Sequence, residues 1–269
     1  MANLTPPRLL ATGCAVLLAA LSWWGDLDGR ADAYLDEALL SGGAVYATAR
    51  GINALISVIQ GTEVNPPFLT VSVGEALDPL NDLIERFSAV LLMALASLAA
   101  QKILLDIVSA SGFSLLLASL ALILAATALM PGRWFGTTLR IVALVVFTRF
   151  SLSLVVIASG FIDGQFLQPS EAAHHQEMQA LQDQLSAVRS SATGQAERTD
   201  SSIWERGAAL MSPSRIGSAI DGLEDSAQSA ITSTISLLAS MLLKTLLLPL
   251  LFLWLALRGA RATLHGLGV

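Results

Sequence analysis

The chain has 269 residues, of which 54% are hydrophobic and only 13% charged, with a mean hydropathy of +0.66. Soluble domains carry about a quarter of their residues charged, so this composition excludes an ordinary water-soluble globule and makes a lipid bilayer the expected solvent. A net charge of −6 argues against nucleic acid as a partner and against electrostatic docking onto anionic lipid.

A helix needs about 20 apolar residues to cross about 30 Å of hydrocarbon, and five runs come near that length: 9–24, 87–109, 113–130, 141–162 and 235–257. The acidic residues avoid them. Ten of the 21 lie in 25–86 and ten in 163–234, which leaves Asp106 alone for the apolar parts. Those parts and their flanks hold eight of the 15 basic residues, among them Lys102, Arg149 and Lys244. The pattern divides the chain into a first apolar segment (1–24), an acidic extramembrane region (25–86), a central membrane region (87–162), a second acidic extramembrane region (163–234) and a last span with a basic tail (235–269).

Segment 9–24 follows Arg8 and ends on Trp23 and Trp24, whose indoles favour the headgroup level. It lacks a small-residue cleavage site before Gly25, which favours an uncleaved signal anchor. Cys14 is the sole cysteine, so neither an intramolecular disulfide nor a multi-cysteine metal cage is available.

In 25–86, Val45, Ala49, Ile52, Ile56 and Ile59 step by threes and fours along one helix face, with Arg50, Asn53, Ser57 and Gln60 on a polar stripe beside it. Asn65-Pro66-Pro67 is expected to end that helix, and the alternation over 69–73 reads as a short strand. Asp78-Pro79 looks like a helix start, with an aspartate to accept from open amides and a proline at the first helical position. A helix is therefore expected from Pro79 to about Ser109, broken at Ser111-Gly112.

Small residues recur along the next two runs (Ala89, Ala96, Ala100; Ala118, Ala121, Ala125) and let backbones pack closely where lipid gives no hydrophobic drive. Residues 131–136 form a tight loop. The following span carries Arg149 near its middle, where an isolated arginine costs at least about 2.5 kcal/mol, so it must face other helices, water or an acid.

Beyond it, Ser170 and Glu171 read as a new helix start, and Met178, Leu181, Leu185 and Val188 form a narrow 3,4-spaced seam. Residues 190–202 have loop composition. A second seam, Ile216, Ile220, Leu223, Ala227, Ile231 and Thr234, runs without a breaker into the last apolar run. One helix from about Ser214 to Arg258 would be about 65 Å long, projecting from the bilayer as a stalk and kinked at Pro249. The expected fold is thus all-α: a multi-pass transmembrane bundle of four to five spans with a partly coiled-coil-like stalk.

Arg133, Arg140, Arg258 and Arg261 ask to be cytoplasmic, which places 163–234 in the periplasm of a bacterial inner membrane. Arg8 asks for the same side, and five crossings cannot satisfy both ends. The run 87–109 is the suspect, because only 14 residues separate Arg86 from Gln101.

Four intramembrane polar residues stand out. Lys102 and Asp106 are four apart on one helix face, where opposite charges attract, and the pair is expected to end a helix near the interface; the alternative is that Asp106, the only acid within the apolar parts, balances Lys102, Arg149 and Lys244 as a relay or the anchor of a buried pair. Lys244 can also snorkel to an interface. Glu171 with His174 has the Glu-x-x-His spacing used twice in di-iron bundles, but only one copy is present, next to His175 and Glu177. No catalytic motif, phosphate loop or cofactor signature occurs. The function expected is non-enzymatic: an assembly, anchoring or regulatory subunit that meets itself or other membrane proteins through its extramembrane helices. The alternative is a channel or transporter subunit using the intramembrane charges, with an intramembrane enzyme a distant third.

Overall fold

A computed structural model describes residues 6–61, 70–129, 134–196 and 213–266. Those residues are helical almost throughout, in eight α-helices: α1 (Pro6–Trp24), α2 (Asp26–Gly61), α3 (Thr70–Ser109), α4 (Ser111–Ala128), α5 (Trp134–Ile162), α6 (Gln168–Ala196), α7 (Pro213–Leu242) and α8 (Leu248–Gly266). Two π-helical turns, Asp163–Leu167 and Leu243–Leu247, join α5 to α6 and α7 to α8 without a loop.

Among the described residues, four segments are long and apolar enough to cross a membrane: Leu77–Ser109, Ser111–Ala128, Trp134–Ala187 and Gln228–Arg261. A fifth arises if the bent pair α1–α2 counts as one span. The 46° bend of that pair falls at Gly25, whose φ of +67° is a backbone conformation that side chains other than glycine's resist. The run 87–109, expected to be too short, belongs to a segment of 33 residues, so length does not keep it from crossing.

Contacts divide the chain into two compact units, residues 1–39, 96–164 and 244–269 in one and 40–95 and 165–243 in the other. These boundaries differ from the acidic and apolar segmentation, because the start of α2 packs with the apolar helices. In the first unit α1, α4 and α5 close on Ala15, Ala19, Leu117, Ala121, Leu124, Val142 and Phe150. Alanines at the contact let the backbones approach, and Ser114 Oγ donates to the Ser22 carbonyl across it (3.1 Å). A second cluster joins α2, α3 and α5 through Ala31, Leu35, Leu98, Leu105 and Val156.

The second unit is a four-helix core. Val45, Ala49, Ile52 and Ile56 of α2 are buried as their spacing implied, against Leu80, Ile84 and Phe87 of α3, Met178, Leu181 and Leu185 of α6, and Ala230, Leu237 and Met241 of α7. The seam of α6 is therefore used within the chain; Val188 and the first part of the α7 seam lie outside the described side chains.

Five local expectations are corrected. The strand at 69–73 is helix from Thr70 onward, and Leu69 lies outside the described residues; alternation over five residues is too short to resist a helix that gains tertiary packing. Pro79 lies inside α3 rather than at its start. No helix begins at Ser170, since the chain passes through a π turn and stays helical. The loop expected at 190–202 is helix through Ala196, and the one expected at 131–136 is helix from Trp134; the breakers at 65–67 and 131–133 and residues 197–202 fall outside the described residues.

Candidate functional site: buried ion pairs in the first unit

Residues Asp28, Asp32 and Asp36 of α2 are spaced four apart, on one helix face. That stripe meets two cations. Arg149 of α5 donates through Nη1 to Asp28 Oδ1 (2.9 Å) and through Nη2 to Asp28 Oδ2 and to the Ser22 carbonyl (3.2 Å). Ser153, one turn further along α5, donates to Asp28 Oδ1 at 2.7 Å. The arginine side chain is 1% exposed and the aspartate 15%, and the guanidinium also lies 5.3 Å from the Phe150 ring centroid. Planar, bidentate pairing of this kind is what arginine offers and lysine cannot.

At the other end of the stripe, Lys102 Nζ stands 2.6 Å from both Asp32 Oδ1 and Asp36 Oδ1. The group is open to solvent, with Lys102 27% exposed and its partners more so.

The third pair joins the two π turns. Asp163 opens the first and Lys244 is the second residue of the other. Lys244 Nζ is 3.9 Å from Asp163 Oδ1, with the side chains 1% and 2% exposed. Tyr34 of α2 donates its hydroxyl to Asp163 Oδ2 at 3.3 Å. Its ring lies against Gly160, where an added Cβ would meet Tyr34 Cδ2 at 2.8 Å, so the glycine makes room for the tyrosine. Just beyond Lys244, the Thr245 carbonyl accepts from Ser97 Oγ (3.4 Å) and Gln101 Nε2 (3.3 Å) of α3. Pro249, four residues on, has no N–H to give that carbonyl. The side chains of α3 supply the donor that the proline withholds.

Asp106 takes no part in this arrangement. It is exposed, and the counter-charges to Lys102, Arg149 and Lys244 come from Asp32 with Asp36, Asp28 and Asp163 instead. Of the two readings of Asp106, the one in which it balances these three cations is thus overturned, and Lys102 pairs with Asp32 and Asp36 rather than with Asp106. Acids placed in water by composition are brought inward by the helices that carry them. Lys244 does not snorkel, being buried against a carboxylate.

In the second unit, Ser233 donates to Glu177 Oε2, and His174 Nδ1 lies 3.2 Å from Ser233 Oγ and 3.6 Å from the same carboxylate oxygen. Serine and acid meet the imidazole at one nitrogen, whereas a hydrolytic relay needs them on opposite nitrogens. His175 Nε2 pairs with Thr48 Oγ1 at 3.1 Å. Among the described residues no group of three or more His, Cys, Asp or Glu is placed to hold a metal ion.

No protein family, characterised protein or solved structure matches this chain.

Proposed function

We propose that this chain is a multi-pass inner-membrane protein serving as a non-enzymatic assembly, anchoring or regulatory subunit, its first unit embedded in lipid and its second presented to other proteins. One observation supports the reading. Among the described residues, all but six of the exposed large apolar side chains (Leu40, Val58, Leu92, Met93, Phe166 and Ile235) belong to the first unit. That unit turns residues such as Leu122, Leu144, Leu154, Leu250 and Trp254 outward while its buried charges, Arg149 with Asp28 and Lys244 with Asp163, pair with one another. In water such a surface would far exceed the few hundred Å² of apolar patch that monomers tolerate. The second unit buries its apolar residues in one core and exposes Arg50, Asp82, Glu85 and Arg86.

Because Met178, Leu181 and Leu185 are consumed in that core, contacts with a second copy or another membrane protein run over its polar outer face rather than through a coiled-coil seam. In this reading the arginines at 133, 140, 258 and 261 are cytoplasmic and residues 163–234 periplasmic. Extraction from native membranes after crosslinking tests the function: a complex larger than the detergent-bound single chain is expected, and a single chain with and without crosslinking refutes it. Cysteine accessibility at positions 30, 72, 136, 191 and the C-terminus tests the sidedness.

A channel or transporter subunit is the second reading, favoured by the Asp163–Lys244 pair, since ionisable groups within spans mark ion or proton pathways by default.

A further inference from the structure

The layer of the first unit that holds the ion pairs shows two kinds of surface at one depth. Contacts across the unit fix that depth. Asp28 of α2 lies against Arg149 and Ser153 of α5, and Tyr34 against Gly160 and Asp163. Asp32 and Asp36 meet Lys102 of α3, and Gln101 of the same helix reaches the Thr245 carbonyl. Next in the chain to these contacts, Ile103 and Leu104 of α3, Leu154 and Phe161 of α5, and Leu246 and Leu247 before α8 are all turned outward. These six belong to segments long and apolar enough to cross a membrane, a test that α2 meets only when joined to α1. Helix α2 presents the opposite surface. Its outward stripe runs through Asp26, Arg30, Ala33 and Glu37, all exposed. Arg30 Nη2 pairs with Asp26 Oδ2 at 3.1 Å, yet the two side chains stay 70% and 60% exposed.

No single solvent suits both surfaces. In water the apolar faces of α3, α5 and α8 would lie bare; in hydrocarbon the α2 stripe would set ionised groups against acyl chains, which reject them. With the first unit embedded in lipid as proposed above, a reading on which this inference rests, lipid covers the three apolar faces and the α2 stripe needs another cover. The stripe carries both signs, so it complements itself. A guanidinium has five N–H donors and a carboxylate about four acceptor positions, so Arg30 can serve a second acid, and Asp36, held by Lys102 through Oδ1, can accept from a second cation. A two-fold axis along the membrane normal sets the same patch of two copies face to face, the arginine of each against the acids of the other. Small residues occupy the middle of the stripe: Gly29 and Ala33 are four apart and exposed, and a Cβ at Gly29 would meet nothing within 4 Å. Two backbones can approach closely there.

We infer that the outward stripe of α2, from Asp26 to Glu37, is an intramembrane contact between two copies of this chain, each shielding the charges of the other from the acyl chains.

The test is disulfide crosslinking of the full chain in its native membranes, in a Cys14→Ser background. Ala33→Cys should give a covalent homodimer on oxidation, as should Gly29→Cys, a second position on the same stripe in case the first disturbs the helix. Ile103→Cys and Leu246→Cys, at the same depth on the apolar side, should remain single chains and should resist a charged maleimide until detergent is added. Arg30→Glu in the Ala33→Cys chain makes the stripe wholly acidic and should abolish the dimer. No homodimer from either stripe position, a crosslinked product containing a different protein, or a dimer undiminished by Arg30→Glu overturns the inference. Ready labelling of Ile103→Cys and Leu246→Cys in intact membranes removes the lipid embedding and this inference with it. A missing dimer with those two positions still shielded removes the pairing alone, so the two failures are told apart.

Discussion

Truncating one member of the Asp28–Arg149 pair should be the most damaging single change to a charged residue in the chain. Asp28→Ala leaves a guanidinium, 1% exposed, without its carboxylate and without the two bonds it gave to Asp28. Breaking a buried pair in this way costs about 3–5 kcal/mol, or roughly two to more than three decades in the unfolding constant at about 1.4 kcal/mol per decade. Removing both partners should be far milder, because well-packed apolar residues of similar volume replace a buried pair at little cost. The comparison is therefore a double-mutant cycle of Asp28→Leu, Arg149→Met and the double variant, read by denaturant titration in detergent with helical circular dichroism. A coupling energy of at least about 2 kcal/mol is expected from direct contact within one network. Additive losses, or a loss under about 1 kcal/mol in Asp28→Leu, would refute the view that the acid of α2 is the partner that admits Arg149.

Other expectations follow from the same geometry. Lys102→Ala should lower the melting temperature much less than Asp28→Ala in the same scan, because its two aspartates are open to solvent and exposed pairs contribute little. Asp106→Asn should change stability by no more than about 0.5 kcal/mol in a denaturant titration, as for surface substitutions generally; a larger loss would return Asp106 to the ion-pair network. Gly160→Val should destabilise by about 1–3 kcal/mol through overpacking against the Tyr34 ring, and Tyr34→Ala in the same chain should recover part of that loss. Gln101→Ala should cost about 0.5–1.5 kcal/mol in the native background and measurably less in Pro249→Ala, where the restored N–H can serve the Thr245 carbonyl. An equal cost in both backgrounds would separate the proline from the side-chain donors of α3.

What could be read in advance was what depends on near neighbours in the chain. The apolar runs behind α1, α4 and α5 and the 3,4 spacing of Val45, Ala49, Ile52 and Ile56 are local signals, and the helices bury those faces. Pro249 likewise marked the irregular end of α7, where a π turn finishes two residues earlier. Pro79 misled, because a proline that suits a first turn looks the same in sequence as one tolerated within a longer helix. The ion pairs were hidden for a different reason. The fourfold spacing of Asp28, Asp32 and Asp36 was visible, but acidity suggested water, and no local rule connects them with cations 66 to 121 residues away. The π turns have no sequence signature that periodicity detects.

The acidic stripe of α2 also has a consequence for biogenesis. During synthesis Asp28 emerges 121 residues before Arg149, and Asp32 emerges 70 before Lys102. If the first unit is embedded in lipid as proposed, α2 until then carries carboxylates that hydrocarbon rejects, and the amino-terminal helices would wait at the aqueous boundary. Settling of the earliest-made part of the chain is thereby tied to completion of α5, and a nascent chain arrested before Arg149 should leave α2 accessible to water-borne thiol reagents.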